Sequence, residues 1–261
     1  MPRFRLLGDF ATRDAETALL WQAGCSAIEQ DGAELVAYFP ERLNLPLLGR
    51  WEEVPETDWL KRYYAELKPI LLSRLIVAPS HCEMVGRGLV VPEPKLVIRL
   101  DPGRAFGTGH HVTTRLALEA LSRLTLSGKT VIDVGAGSGI LAIAADLLGA
   151  AVAYGLDNDP ETVPIARDNA QLNGSRAEFY LGALDETTPA ASADVVVANL
   201  YAELHQQLAL HYRRVLRLGG ELILSGILSE RLPAVVAALE PLADTTVAQE
   251  DGWALVYARL L

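Results

Sequence analysis

The stretch that most constrains this chain is Val131-Ile132-Asp133-Val134, then Gly135-Ala136-Gly137-Ser138-Gly139, then Ile140-Leu141-Ala142-Ile143-Ala144-Ala145. A short β-branched run ends in a glycine-rich turn, and the turn opens an apolar, alanine-rich segment. This predicts a strand, a tight loop and the start of a helix. Glycines at alternate positions take φ values that other residues avoid and let a ligand approach the backbone. The free N–H groups of the first helical turn point at whatever lies over the loop. Such a loop also serves, in many folds, only to pack a helix onto a sheet, and on its own it leaves both readings open.

The spacing narrows the ligand. A dinucleotide fingerprint needs G-x-G-x-x-G, and its third glycine position is Ile140 here. A phosphate-binding P-loop ends in Gly-Lys-Ser/Thr, and no lysine follows. What remains, G-x-G-x-G with Asp133 two residues ahead, resembles the first motif of Rossmann-like, S-adenosylmethionine-dependent methyltransferases. The next apolar run, Ala151 to Leu156, ends at Asp157. An acid at the tip of the second strand, about twenty residues past the glycine loop, is where a carboxylate grips a ribose diol; an ordinary turn aspartate is the competing reading. Asp159-Pro160 reads as a helix N-cap with a first-turn proline, and Asn173-Gly174 as the stop.

At 261 residues the chain fits one large domain or a small and a medium one. Half the residues are hydrophobic, ample for a buried core. The N-terminus lacks the long apolar region of a secretory signal, and no apolar run reaches the roughly 18 residues of a membrane span. The expectation is a soluble, cytoplasmic protein. Cys25 and Cys82 form no C-x-x-C pair and are expected as buried free thiols. The five histidines have no metal-site spacing, so no metal is expected. The net charge of −10 argues against direct nucleic-acid binding and for a basic partner.

Taken in order, residues 3–8 predict a strand and 13–23 a helix. Ala27–Glu29 and Glu34–Phe39 flank an Asp31-Gly32 hairpin signal, and 49–54 adds another strand. This β-α-β-β order, closed by a fourth strand, suggests a small ferredoxin-like α+β module over 1–54. It has no acid/base cluster and is a candidate recognition domain. Asp58 caps an expected connecting helix within 55–69, where Trp59, Tyr63 and Leu67 form a stripe read as interdomain packing. From 70 to 261 the reading is a second domain, with strand-like runs Ile70–Val77 and Lys95–Leu100. The glycine-dense loop Asp101–His111 then leads into a helix opened by Thr113-Thr114. Hydroxyls there can meet a ligand's carboxylate, or Thr can be a plain N-cap. Strands are expected at Ala177–Leu181, Ala193–Ala198 and Glu221–Leu224. The strand at Ala193–Ala198 ends at Asn199-Leu200-Tyr201, a helix follows to about Leu216 and is ended by Gly219-Gly220, and Ser229 caps a last helix running to near Pro241. Thr245–Ala248 and Trp253–Ala258 close as an antiparallel pair. Strands alternating with helices from about residue 95 give an α/β doubly wound sheet, with Gly135, Asp157 and Asn199 all at carboxyl ends of strands.

Three blocks together, Ala105-Phe106-Gly107-Thr108-Gly109-His110-His111-Val112-Thr113-Thr114, Asp133 to Gly139, and Asn199-Leu200-Tyr201-Ala202-Glu203-Leu204, resemble PrmA. This is the bacterial family of methyltransferases that modify large-subunit ribosomal protein L-eleven. The resemblance spans essentially the whole chain. It implies a class I methyltransferase sheet, a small N-terminal substrate-recognition domain, S-adenosylmethionine as cofactor and a basic ribosomal protein as partner. Cofactor contacts are implied for Thr114, Gly135, Asp157 and Asn199, with the Phe106 loop closing over the methionine end. Adding the neighbours Thr113 and Gly137 completes the candidate cofactor set. The nucleic-acid amine methyltransferases carry an Asn/Asp-Pro-Pro-aromatic motif at Asn199, and the absence of those prolines speaks against a base substrate.

For chemistry, the expectation is methyl transfer to lysine side-chain or N-terminal amines, with Asn199 as the catalytic candidate. Its side-chain oxygen can accept from the attacking amine, or its side chain can cap the next helix. Tyr201 and Phe106 can face a cation, with packing as the competing reading for each. No general base is assigned. The rival within enzymes is a methyltransferase of the same fold acting on a small molecule or another protein. An NAD-dependent oxidoreductase is disfavoured by Ile140, and a non-catalytic binding protein by Gly135, Asp157 and Asn199. Nothing in the sequence demands more than a monomer.

Overall fold

The computed structural model describes residues 2–8, 12–25, 27–39, 41–53, 68–80, 96–101, 107, 109–240 and 244–260. The chain divides into two compact units, Met1–Glu66 and Leu67–Leu261. The expected connecting helix, with Asp58, Trp59, Tyr63 and Leu67, lies outside the described residues, as does Cys82.

The first unit is a four-stranded sheet carrying one described helix. Strands β1 (Pro2–Leu7), β2 (Ala27–Asp31), β3 (Glu34–Tyr38) and β4 (Arg50–Glu53) lie in the order β2-β3-β1-β4, and every neighbouring pair is antiparallel. Because β1 and β2 both run antiparallel to β3, they are parallel to each other, with α1 (Asp14–Gln22) between them in sequence: a split β-α-β. No helix occurs among the described residues 41–49 between β3 and β4. The alternation along β1 sends Phe4 and Leu6 into a core with Leu20, Cys25, Leu35 and Phe39, and Trp51 packs against Phe4 and Phe39 with its ring steeply inclined to both. On the opposite face Arg5 pairs with Asp31 at 2.7 Å, Glu34 at 3.0 Å and Glu52 at 2.9 Å. Those carboxylates raise the already high pKa of its guanidinium against the opposing effect of burial.

The second unit is built on a seven-stranded sheet in the order β10-β9-β8-β11-β12-β14-β13. Its strands are β8 (Thr130–Val134), β9 (Val152–Asp157), β10 (Glu178–Leu181), β11 (Ala193–Asn199), β12 (Leu216–Leu228), β13 (Asp244–Glu250) and β14 (Trp253–Arg259). The first five are mutually parallel, while β14 is antiparallel to β12 and to β13, as the sequence pattern of the last two runs predicts. Alternate residues of the central strands enter different cores. Val131, Val195 and Val197 pack on one face with α2 (Val112–Ser122), α3 (Ile140–Leu147) and α4 (Thr162–Leu172). Ile132, Val134, Val196 and Ala198 pack on the other with α5 (Ala202–Val215) and α6 (Leu232–Ala238). A sheet buried on both faces explains why these strands read as unbroken apolar runs. Strand order reverses at β8 and β11, which opens a crevice at their carboxyl ends. No helix among the described residues is long and apolar enough to cross a membrane.

Several boundaries differ from expectation. The run 70–77 is broken by a turn into β5 (Ile70–Leu71) and β6 (Leu75–Pro79), and β7 (Leu96–Leu100) pairs with β6 in a separate three-stranded sheet. The reason β7 stays out of the main sheet is polar. Asn173 at the end of α4 brackets Arg99, its Oδ1 accepting from the Arg99 N–H at 2.7 Å and its Nδ2 donating to the carbonyl at 2.6 Å, and Asn169 accepts from the Asp101 N–H at 3.0 Å. Gly219-Gly220 does not end α5; the helix passes directly into β12 at Leu216, and the glycines lie within that strand. Ser229 opens a short 3₁₀ turn, and the helix after it starts at Leu232 with no side-chain cap. Asp159 is not the α4 cap either. Its Oδ1 accepts from the Glu161 N–H at 2.8 Å, an Asx turn before a helix that begins at Thr162. Asn173 and Gly174 (φ +60°) do end α4 as expected.

Candidate functional site

The glycine loop joins β8 to α3 with Gly135, Gly137 and Gly139 at φ +74°, +52° and +81°. A side chain at Gly139 would strike the Phe179 ring, so close packing as well as conformation demands glycine there. Gly139 is also the N-cap of α3 and offers no side chain to the orphan N–H groups. Asp133 supplies one instead, its Oδ2 accepting from the Ala142 N–H at 3.1 Å while its Oδ1 has no partner. Full burial pushes the Asp133 carboxyl up to about 7; the Ala142 N–H opposes this, and the charge of Asp157 adds to it.

Asp157 ends β9 and faces the loop. Its Oδ2 accepts from the Gly137 N–H at 2.8 Å and its Oδ1 from the Asp159 N–H at 3.0 Å. A carboxylate has about four acceptor positions, so both oxygens retain capacity toward the crevice. On the other side of the crevice Asn199 ends β11, and its Nδ2 donates to the Thr114 hydroxyl at 3.2 Å. The cap of α5 is Tyr201, not Asn199, and it makes no side-chain cap bond, so the reading of Asn199 as a helix cap is set aside.

These groups converge. A cavity of about 410 Å³ is lined by Thr114, Gly135, Gly137, Asp157 and Asn199, with Asn158 and Asp159 beside Asp157 and with Ile140, Leu141, Leu200, Tyr201 and Leu204 among the other lining residues. Tyr201 is 60% exposed at its mouth. Beside it a smaller concavity of about 100 Å³ shares Gly135, Asp157, Asn158 and Leu200 and runs between Val134, Leu156, Ala183 and Leu184. A third hollow of about 290 Å³, almost wholly apolar, lies on α2 and the β13–β14 hairpin, away from every strand end. The strand-end cavity is the candidate because polar groups converge there at the topological switch, not because of volume.

Five of the seven expected cofactor residues thus line one cavity. Thr113 does not: it is buried, its hydroxyl bonds His111 Nδ1 at 2.8 Å, and it does not line the cavity. The helical period explains this, since consecutive residues point in directions about 100° apart. The cap of α2 is His111, which accepts from the Thr113 N–H, so neither threonine caps the helix. Phe106 lies outside the described residues. The adjacent Gly107 is tied to the site, its carbonyl accepting from the Ser138 hydroxyl at 2.8 Å.

Sequence reasoning missed Gly226. It stands at φ +83° in an irregularity of β12, and a Cβ there would collide with the Leu200 carbonyl and lie 2.9 Å from Asn199 Oδ1. Its signal was present, a glycine inside a strand pattern, but its partner is distant in sequence.

Residues 24–260 match the family model described as Ribosomal protein L11 methyltransferase (PrmA). The chain is 47% identical to the ribosomal protein L11 methyltransferase of Deinococcus radiodurans, covering 98% of each chain. It is 43% identical to the one of Thermus thermophilus, covering 97% of each. Among solved structures, the ribosomal protein L11 methylase of Lactobacillus delbrueckii subsp. bulgaricus superposes with a TM-score of 0.65 at 33% identity, over 75% of this chain and 100% of that one. The main sheet is the Rossmann-like class I methyltransferase arrangement that the sequence predicts. By a family match over most of its length and by relatives matched from end to end, the chain belongs to the ribosomal protein L11 methyltransferase (PrmA) family.

Proposed function

We propose that this protein transfers methyl groups from S-adenosylmethionine to amines of ribosomal protein L11, at lysine side chains and/or the N-terminus. The observation that carries the reading is the convergence of Gly135, Gly137, Asp157, Thr114 and Asn199 on one strand-end cavity. That donor set fits the cofactor. Asp157 retains acceptor positions for ribose hydroxyls, the adjoining apolar concavity suits a flat base, and Thr114 and Asn199 are placed for a polar amino-acid end.

When bound, S-adenosylmethionine supplies an already activated methyl group, so the protein's task is alignment. Asn199 orients the incoming amine: its Nδ2 is committed to Thr114, and its Oδ1 accepts an amine N–H and directs the lone pair. Leu141, Leu200 and Leu204 make the surroundings apolar, which favours the neutral amine over the ammonium. Tyr201 at the mouth offers an aromatic face to the lysine stem or to a methylated ammonium. The net charge of −10 suits a basic ribosomal protein and disfavours nucleic acid. Residues 1–54, joined through 55–69 to the catalytic 70–261, are the substrate-recognition part of a cytoplasmic monomer.

The test is mass spectrometry of L11 after incubation with the protein and S-adenosylmethionine. Increments of one methyl mass on lysine or the N-terminus, lost for Asp157→Ala, are expected. An unmodified L11 beside intact cofactor binding removes the substrate and points to a small molecule or another protein.

A further inference from the structure

Behind the Asn199 wall stands a histidine that the chemistry above does not use. His205, in the first turns of α5, is fully buried and does not line the cavity. Its Nε2 lies 2.8 Å from the Ser225 carbonyl oxygen and its Nδ1 3.2 Å from the Tyr212 hydroxyl. A carbonyl oxygen only accepts, so Nε2 carries the proton, and in the neutral ring Nδ1 accepts from the Tyr212 O–H. Burial lowers the imidazole pKa to about 4, against the opposing bonds to the Ser225 and Leu200 backbone, so the ring is neutral at physiological pH.

The Ser225 carbonyl holds a second donor, the Leu200 N–H at 3.0 Å, from the residue directly after Asn199. The Ser225 hydroxyl donates to the Thr113 carbonyl at 2.8 Å, and the next residue, Thr114, holds the Asn199 carboxamide. The circuit is therefore closed: α5, β12, the start of α2 and the end of β11 meet on Ser225. Thr113, Thr114, His205, Tyr212 and Ser225 are all buried and Asn199 and Leu200 partly so, so the bonds of His205 and Ser225 lie in a medium where an unmade partner is costly. Gly226, next along, leaves room for the Asn199–Leu200 backbone to approach this carbonyl.

We propose that His205 is a positioning residue, whose Nε2–H fixes the Ser225 carbonyl as the anchor of Leu200 and thereby holds the Asn199 carboxamide in register for methyl transfer. The inference rests on the reading of Asn199 as the group that meets the amine. It differs from simple core packing in one respect: leucine fills the volume without a donor, whereas the glutamine carboxamide presents an N–H at about the reach of the imidazole Nε2.

The experiment uses the full chain as wild type, His205→Leu and His205→Gln, followed by nitrogen-15 resonances and by steady-state methylation of L11. In the wild type the imidazole shifts should report an Nε2–H tautomer, unchanged from about pH 5.5 to about pH 8. His205→Leu should displace the Asn199 side-chain amide resonances and lower kcat about tenfold, with KM for L11 within about threefold. His205→Gln should return both toward wild type. An Nδ1–H tautomer overturns the proposal, as does equal behaviour of the two variants, both active or both impaired. Should the leucine variant not fold, the tautomer and the glutamine variant decide, and a glutamine variant without turnover overturns it. The resonances need no methyl transfer, so a wild type inactive on L11 defeats the proposed function separately.

Discussion

The two walls of the cavity are built in different ways. One is continuous in sequence: β8, the glycine loop, α3 and β9 deliver Gly135, Gly137 and Asp157, with buried Asp133 behind them, within 25 residues, and Asp157 clasps the loop through the Gly137 N–H. The other is assembled from Thr114 and Asn199, backed by Ser225–Gly226, three segments that meet only in the fold. The first wall is a local motif whose geometry follows from glycine conformation and a strand-to-helix turn. The second depends on long-range register, with Asn199 paired to Ser225 across β11 and β12. The first should therefore tolerate damage to the second, but turnover should tolerate damage to neither.

The largest effect that sharpens this contrast belongs to the local wall. An unfolded aspartate ionises near 3.8 and buried Asp133 near 7, so between these values the folded chain keeps a proton that the unfolded chain has lost. Stability then falls as pH rises through that window, by about 4 kcal/mol in total. His205, whose folded pKa is depressed to about 4, contributes the opposite slope below its ordinary value of 6.5. The Asp133 contribution is accordingly read as the difference between wild type and Asp133→Asn in chemical denaturation across pH. The same slope in both proteins contradicts the assignment.

On the assembled wall, Asn199→Ala should cut kcat about 100-fold while cofactor affinity changes by less than about tenfold, measured by radiolabel transfer and calorimetry. Turnover near that of the wild type removes Asn199 from the chemistry. Gly226→Ala forces a Cβ against the Leu200 backbone at φ +83° and should cost about 2 kcal/mol in thermal unfolding, with a matching fall in kcat. The smallest expected effect is at the tie between the Gly107 loop and the glycine loop. Ser138→Ala deletes one hydroxyl-to-carbonyl bond and should weaken cofactor binding by about fivefold, with stability changed by about 1 kcal/mol.

This division also marks what was legible in the sequence. Strands β8, β9 and β11, the glycine loop and the tip aspartate follow from period and punctuation, because buried parallel strands and tight turns write themselves locally. Asn199 was legible by its place at a strand end, but its partner Thr114 was set apart from Thr113 only by the family resemblance; in the fold the helix phase separates the two. Boundaries failed where polar tertiary bonds override local signals. Asn173 bonds the Arg99 backbone of β7, a run placed as expected but outside the main sheet, and Gly219-Gly220 lie where the pairing of β11 with β12 skips from Leu216 to Glu221, their backbone bonding Leu260 instead. Gly226 carried only the weak signal of a glycine inside a strand pattern and His205 none that marked its role, since the residues each acts on, Leu200 and Ser225, are about twenty or more positions away.

The most direct test of the central claim, that both walls face one cofactor, is calorimetric titration of S-adenosylmethionine into wild type, Asp157→Ala and Thr114→Ala. One cofactor per chain is expected, weakened about tenfold or more by Asp157→Ala and about fivefold by Thr114→Ala. Undiminished affinity in both variants would place the cofactor elsewhere and contradict the account.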